Sequence, residues 1–351
     1  MSRRKHRAGG YIVASLALVA IAATPLAGSA AGLANSPFGV KALNTDGSGK
    51  YAIKGLKLGG GTPGDSESTT TPTPTPEPVD PATMRTILTV DTSLTGCTVR
   101  NLKFSVPAGS DYFAPNAIVD WGDDSKESVV VGTNSHTYAK AQSYKVTIEG
   151  KIPGLTGPGS GSSTVANCVT SIDQFGSASG IRTLSSLFQN SSVIKSVAAP
   201  PSTVTDLSSM FAGASKFNGD ISGWDTSNVT TMSGMFNGAR VFAGDLSKWN
   251  TGNVNSMYAM FTNTSAFNSP VNSWNVSKVT DMRYMFQYAS GFDQAVDQWD
   301  TRNVVGMLAM FQGASKMSYG MRFWNVDKVN SWQNFYAGTL LKSTQVPQKF
   351  L

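Results

Sequence analysis

The sequence predicts an α/β solenoid of 25-residue units, each with one short helix and one short strand, preceded by a small all-β sandwich. The first observation is a constant period, because a fixed interval of about 20 to 50 residues is typical of repeat proteins. Five tryptophans follow one another at intervals of 25 residues: Trp224, Trp249, Trp274, Trp299 and Trp324. The second is the alternation of apolar and polar residues in short segments between residues 82 and 175, as in β-strands.

The chain begins with the three parts of a secretory signal peptide. Basic residues fill most of the first seven positions, an apolar run covers residues 11–24, and small residues occupy residues 27–31. The apolar run is shorter than the roughly 20 residues that span a bilayer. Residues 1–31 are therefore predicted to be cleaved, which gives a secreted or cell-surface protein without a membrane span in the mature chain. An uncleaved membrane anchor and a prepilin-like leader cut after Gly10 are the alternatives.

Charge and cysteine content indicate which partners and which cellular compartment to expect. The net charge of +6 includes four basic residues of the leader, and without them 24 basic and 22 acidic residues remain. No lysine- or arginine-rich cluster is left for nucleic acid, so that partner is not expected. The two cysteines, Cys97 and Cys168, are predicted to form a disulfide, as isolated pairs in exported chains commonly do. Two free buried thiols are the alternative.

Three segments follow the leader. Residues 32–60 contain glycines and lysines but match no recognisable element, and we leave them unassigned. Residues 61–81 are rich in threonine and proline, which predicts an extended linker or stalk. Residues 82–175 contain several alternating segments separated by Gly, Pro, Asn and Asp, which predicts the small sandwich.

Part of the sandwich region resembles the PKD domain. The segments VDWGDDS, from Val119, and HTYAKAQSYKVTI, from His136, are similar to that family's strand and turn and to its closing hairpin. Asp124 departs from the resemblance, since the family usually has glycine there. Four acidic residues near this turn do not follow the calcium-loop spacing, so we interpret them as turn-forming side chains. They are Asp120, Asp123, Asp124 and Glu127.

The repeat has fixed apolar columns. With each tryptophan as position 0, apolar or small residues recur at positions 5, 8, 11, 12 and 15, which fits one face of a helix. Asp, Ser, Thr and Asn just before this stretch are typical helix N-caps. Apolar residues at positions 18 and 22, bounded by Gly, Asp and Asn, predict a short strand. One helix and one strand per unit give a leucine-rich-repeat-like solenoid with one parallel sheet.

The repeated unit resembles the BspA-like leucine-rich-repeat surface protein family. The matching segment is VTDLSSMFAGASKFNGDISGWDTSNVTTMSGMF, residues 204–236, and the resemblance extends over residues 181–345. Residues 181–203 are interpreted as an N-terminal cap and the residues from Ser331 as a C-terminal cap. The resemblance implies a bacterial exported or surface-attached protein that acts in adhesion and protein binding. PKD-like segments also precede the repeats in that family.

Binding residues are predicted at positions that differ between units. The tryptophans recur in all five units beside strictly apolar columns, so we interpret them as core and not as a ligand-binding ladder. Variable positions carry tyrosine, arginine and phenylalanine, residue types that are common at binding surfaces. The candidates are Tyr258, Arg283, Tyr284, Tyr319, Arg322 and Phe323.

Catalysis is not predicted, and neither is a cofactor or a metal. After the leader the chain has a single histidine, His136, which lies in the PKD-like hairpin. A Ser-His-Asp or Cys-His site would have to be built on it. The expected function is that of an adhesin or protein-binding module, with an extracellular protein or a host- or cell-surface ligand as the partner. A carbohydrate-binding surface protein and a structural or pilus-associated subunit are the alternatives.

Overall fold

The computed structural model describes residues 80–97, 100–108, 117–157 and 167–351, which belong to one compact unit. The predicted signal peptide, the unassigned segment and all but the last two linker residues lie outside the described residues. None of the described residues belongs to a helix with the length and apolar character needed to cross a membrane. The strands are β1 (Arg85–Asp91), β2 (Asn101–Val106), β3 (Ile118–Asp120), β4 (Lys126–Ser128), β5 (Gly132–Thr137), β6 (Ser143–Glu149), β7 (Val169–Gln174) and β8 (Ser196–Val197).

The strands form two sheets that enclose one core. The larger sheet has the order β4-β3-β6-β1-β7-β8 and is antiparallel except for the β7–β8 pair, while β2 and β5 form an antiparallel pair of their own. Every second residue of β1, β2 and β6 is buried, as the alternation in the sequence predicts. Phe104 of β2 packs against Trp121, which follows β3, with ring centroids 5.8 Å apart. Cys97 and Cys168 form a disulfide within this part of the molecule.

From residue 181 onward the chain forms stacked coils of 25 residues. Position 7 of each coil, counted from the tryptophan, forms a parallel bridge with position 7 of the next coil. The bridged pairs are Asp206–Thr231, Thr231–Ser256, Ser256–Asp281, Asp281–Gly306 and Gly306–Ser331. Gly154, which follows β6, bridges Thr183 in the same parallel manner, so the sandwich covers the first coil directly.

Backbone hydrogen bonds in positions 8 to 15 alternate between two kinds of partner. At positions 8, 10, 12 and 14 the N–H group donates to a carbonyl of the next coil. Met257 and Ala259, for example, donate to Asp281 and Arg283 at 3.0 and 2.9 Å. At positions 11, 13 and 15 the N–H group donates to the carbonyl three residues earlier in its own coil. The stacking of coils therefore uses four of the eight donors in this stretch, and turns within a coil use three.

This pattern shows that the predicted α/β solenoid with one helix per unit is wrong. Within the described ranges, Asn167 and Cys168 are the only residues with α-helical hydrogen bonding. The regular structure is one mixed and one antiparallel sheet, together with short 3-10 helices at Pro81–Met84, Ser343–Gln345 and Gln348–Phe350. The strand predicted at positions 18 to 22 is also absent, and the bridges occur at position 7, inside the predicted helix. The physical reason is the backbone at positions 10 and 14. Their φ values of 51–63° and 56–76° interrupt a right-handed helix.

The interior of the stack consists of aromatic ladders. The five tryptophans are only 3–6% exposed, which confirms that they are core residues. From Trp249 onward each indole N–H donates to a backbone carbonyl 28 residues earlier, at 2.9–3.1 Å. Phenylalanines at position 12 stack on those of neighbouring coils with centroids 5.4–5.7 Å apart. Each coil thus buries its apolar residues against the coils on either side.

Each end of the stack, where the sequence predicts a cap, is covered by another part of the chain. Residues 181–203, expected to be a cap, form a first coil whose N–H groups bond to the second coil. In the segment from Ser331, also expected to be a cap, Phe335, Ala337 and Thr339 keep the hydrogen bonds to the carbonyl three residues earlier in their own coil. The cover at this end comes later, where Phe350 packs against Phe335 and Trp332 with centroids 4.6 and 5.9 Å apart.

Candidate functional site

One coil of the stack carries an unusual set of side chains outside the apolar columns. Positions 7, 9, 10, 13 and 14 hold mostly small residues such as Ser, Thr, Gly, Ala and Asn in the other coils. The coil that begins at Trp274 instead has Asp281, Arg283, Tyr284, Gln287 and Tyr288 at these positions. Position 9 of the coil before it adds Tyr258. We call Tyr258, Asp281, Arg283, Tyr284 and Tyr288 the tyrosine patch.

Arg283 organises the first half of the patch. Its Nε and Nη2 donate to the two carboxylate oxygens of Asp281 at 2.9 and 2.7 Å, and this hydrogen bonding raises the pKa of Arg283 above its ordinary value. Its Cζ lies 5.3 Å from the ring centroid of Tyr258, within cation–π distance. The rings of Tyr258 and Tyr284 form a T-shaped pair with centroids 5.6 Å apart. The guanidinium is therefore paired, and it covers part of Tyr258.

Two glycines of the following coil make room for the patch. A Cβ atom added to Gly306 would lie 2.9 Å from Cγ of Arg283. A Cβ atom added to Gly313 would overlap Cδ1 of Tyr288. Gly306 and Gly313 thus act as seats on which the arginine stem and the tyrosine ring rest.

Two tyrosines of the patch adopt a backbone conformation that is uncommon for bulky residues. The φ angles of Tyr284 and Tyr288 are 61° and 56°, in the left-handed region. The same columns hold Gly, Ala, Ser or Asn in the other coils. Such a conformation costs on the order of 1–3 kcal/mol for a non-glycine residue and occurs preferentially at functional sites. The repeat has this φ in every coil, so what distinguishes the patch is that tyrosines, and not small residues, occupy these positions.

A shallow cleft of about 320 Å³ borders the patch. Its walls are Asp281 and Arg283 together with polar and small residues of the next two coils. The lining residues are Thr280, Asp281, Arg283, Val305, Gly306, Asn330 and Ser331. The patch and cleft together offer aromatic edges, one paired cation and several hydroxyl and amide groups.

The six residues predicted from the sequence fall into two groups. Tyr258, Arg283 and Tyr284 lie together in the patch, whereas Tyr319, Arg322 and Phe323 lie on a different segment, at positions 20, 23 and 24 of the coil that closes at Trp324. Sequence reasoning missed Tyr288. Its signal was available, since position 14 otherwise holds only Gly or Asn from the second coil onward.

The sandwich holds its histidine in structural contacts. His136 Nε2 lies 2.8 Å from Oδ2 of Asp123, and its ring stacks on Trp121 at 5.0 Å. Burial raises the pKa of Asp123, but hydrogen bonds from Ser125 and His136 outweigh it and leave the pKa below its ordinary value. Asp120 accepts a hydrogen bond from the Gly122 N–H at 3.0 Å. Both aspartates thus stabilise the turn between β3 and β4.

Comparisons with known proteins bear on the stack alone. A family model described as "Mycoplasma protein of unknown function, DUF285" matches residues 182–289 and 245–347. No curated protein and no solved structure matches the chain. The resemblances to the BspA-like and PKD families remain predictions. The coils are thus similar to a family without an assigned function.

Proposed function

We propose that the chain is an exported bacterial surface protein that binds another protein through the tyrosine patch, without catalysis. The observation that carries this proposal is the concentration of tyrosine and arginine in one coil whose equivalents elsewhere are small. Tyrosine, tryptophan and arginine dominate binding energy at protein interfaces. Two of the tyrosines occupy left-handed positions that the other coils fill with Gly, Ala, Ser or Asn, which supports a role beyond packing.

The geometry favours a protein partner over a sugar. Stacking on a sugar ring needs a free aromatic face. The ring of Tyr258 is partly covered by Arg283 and forms a T-shaped pair with Tyr284. The ring of Tyr288 rests on Gly313. Because Asp281 pairs with Arg283, the patch has no net charge, which suits a mixed polar and aromatic interface.

The patch is also suited to binding because its side chains are already ordered. Arg283 is fixed by two hydrogen bonds and by its seat on Gly306. Tyr288 is fixed by its seat on Gly313. Ordering a rotamer-rich side chain at an interface costs about 0.5–1.5 kcal/mol, so a preordered patch avoids much of this loss.

The test is a binding screen of the full chain against extracellular matrix proteins and a glycan array, followed by matched variants. Tyr288→Ser removes a patch tyrosine that is 49% exposed, and serine tolerates positive φ, as Ser209 does. The control Tyr319→Ser removes a tyrosine that is 50% exposed outside the patch. We expect Tyr288→Ser to weaken binding of a protein ligand about tenfold or more, and Tyr319→Ser to leave it unchanged. Glycan binding alone, or equal effects of both variants, would overturn the proposal.

Export of the protein is tested by a separate measurement. N-terminal sequencing of the protein recovered from outside the cell gives the start of the mature chain. A start next to Ala31 supports secretion through a cleaved signal peptide. A start at Tyr11 indicates prepilin processing, and an intact Met1 indicates an anchor, so either result would require a different account of how the protein reaches the surface.

A further inference from the structure

The C-terminal end of the stack differs in charge from the rest. Residues 181–315 contain eight basic and eight acidic residues, whereas residues 316–351 contain five basic residues and a single acidic one, Asp327. The five basic residues are Lys316, Arg322, Lys328, Lys342 and Lys349. Lys349 donates to the carbonyl oxygens of Val326 and Asp327 at 3.0 and 3.1 Å. The last coil and its covering segment are thus strongly basic on an otherwise neutral stack.

The same end exposes large apolar side chains. Phe323 is 94% exposed and Leu340 is 62% exposed. Position 24, where Phe323 lies, holds small or polar residues in the other coils: Gly223, Lys248, Ser273 and Gln298. An exposed phenylalanine at a position that otherwise holds small or polar residues is informative. Exposing a large apolar side chain to water is unfavourable unless a partner covers it.

The basic and apolar groups are neighbours. Cζ of Arg322 lies 5.9 Å from the ring centroid of Phe323. Both residues line a cleft of about 370 Å³ with Ser343 and Thr344, the residues that follow Lys342. Leu340 donates its N–H to the carbonyl of Met317, next to Lys316. We call Arg322, Phe323, Leu340 and Lys342 the basic tip.

We propose that the basic tip docks on a phospholipid surface of net negative charge. An aromatic side chain that protrudes almost fully into solvent can enter the headgroup region without a complementary pocket, and adjacent cations can meet the lipid phosphates. Phe323 protrudes in this manner, with Arg322 beside it. A protein partner would instead have to supply a pocket for Phe323. The inference concerns a different surface from the tyrosine patch and does not rest on the proposed function.

The experiment is co-sedimentation of the full chain with two kinds of vesicle. One is phosphatidylcholine alone, and the other has roughly a third of its lipid as phosphatidylglycerol, to provide the negative surface potential. We expect stronger binding to the anionic vesicles and weakening as salt is raised, because exposed charges are screened within about 10 Å at 0.1 M salt. Equal binding to both vesicles would overturn the proposal.

Matched variants locate the binding surface. We expect Phe323→Ser to lower the affinity for anionic vesicles about tenfold, since it removes the exposed aromatic side chain that would be buried in the headgroup region. The control Val241→Ser removes an exposed apolar side chain from a distant coil and should have no effect. Lys342→Glu should lower the affinity at least fivefold, while Lys248→Glu should not. If soluble polyglutamate binds as tightly as the vesicles and Phe323→Ser changes neither, the partner is an acidic macromolecule and the proposal is wrong.

A position-specific readout separates the basic tip from the apolar leader, which all these variants retain. A polarity-sensitive fluorophore is attached at Phe323→Cys and, as a control, at Val241→Cys. We expect a blue shift with anionic vesicles at position 323 and none at position 241. If the chain sediments but neither fluorophore shifts, the leader is responsible and the basic tip does not touch the lipid.

Discussion

Gly313→Ala tests the seat on which Tyr288 rests, and Gly238→Ala is its matched control. Both glycines occupy position 14 and have nearly equal φ values of 72° and 76°. Each alanine therefore has the same left-handed strain, about 1 kcal/mol. A Cβ on Gly238 would meet Cα of Gly213 at 3.6 Å, an ordinary contact, whereas a Cβ on Gly313 would overlap Tyr288. That overlap adds about 1–3 kcal/mol of strain.

We therefore expect the free energy of unfolding to fall by about 1 kcal/mol for Gly238→Ala and about 2–4 kcal/mol for Gly313→Ala. The assay is urea denaturation of the full chain, followed by tryptophan fluorescence. The m-value is compared as well, because a change in it would show that coils unfold separately. In a chain that also carries Tyr288→Ala, Gly238→Ala and Gly313→Ala should lower the free energy of unfolding by amounts that agree within about 0.5 kcal/mol, since the clashing ring is gone.

Two results would refute the reasoning. Equal costs of the two alanines in the unmodified chain would mean that Tyr288 does not rest on Gly313. An extra cost of Gly313→Ala that survives Tyr288→Ala would place its origin elsewhere in the coil. The same pair also reports on function, because Gly313→Ala should weaken ligand binding by displacing Tyr288, while Gly238→Ala should not.

Three further outcomes follow from the structure. Trp274→Phe should lower the free energy of unfolding by about 1–3 kcal/mol, because the indole N–H donates to the Leu246 carbonyl at 3.0 Å; an unchanged denaturation midpoint would contradict it. Replacing both Cys97 and Cys168 by serine should lower the free energy of unfolding by about 4 kcal/mol, because the disulfide closes a loop between residues 71 apart in sequence. Unchanged stability would contradict this loop-entropy estimate. Burial raises the pKa of Asp173, but hydrogen bonds from a lysine and two hydroxyls outweigh it and leave the pKa below its ordinary value. Its contribution is therefore present above about pH 4 and lost as the pH falls, so Asp173→Asn should flatten the acid side of the stability profile.

The sequence predicted those features of the fold that depend on side-chain burial. The period of 25 and the constancy of the tryptophans identified the repeat and its core, and alternation located most of the sandwich strands. The helix prediction was wrong because the spacing of apolar residues does not reveal which groups the backbone N–H groups bond to. Ser209, Ala259 and Tyr284 occupy a left-handed position without any residue type that signals it. Half of the donors in this stretch bond to the neighbouring coil, and that partner is not adjacent in sequence.

The candidate sites were predictable as variable positions but not as surfaces. Comparing columns identified Tyr258 and Arg283 because their residue types differ from those in other coils. Their contact depends on the stacking of adjacent coils, which brings residues 25 apart next to one another. The seats at Gly306 and Gly313 could not be inferred without coordinates, since each belongs to a different coil from the side chain that it accommodates.

The inter-coil ladder explains how the tyrosine patch tolerates its strained backbone. The N–H groups of Tyr284 and Tyr288 donate to the carbonyls of Leu308 and Gln312 at 2.9 and 2.7 Å, so each strained residue is hydrogen-bonded directly to the next coil. Strained conformations persist only where the surrounding structure holds them firmly, and the coils on both sides supply that constraint. A stack of small residues would be stable without these tyrosines, so stacking alone gives no reason for their presence. Left-handed φ values recur at these positions in every coil, so the repeat itself imposes the strain. The choice of tyrosine is explained by a requirement to present both rings at one edge of the coil, which is the arrangement that a preordered binding surface needs.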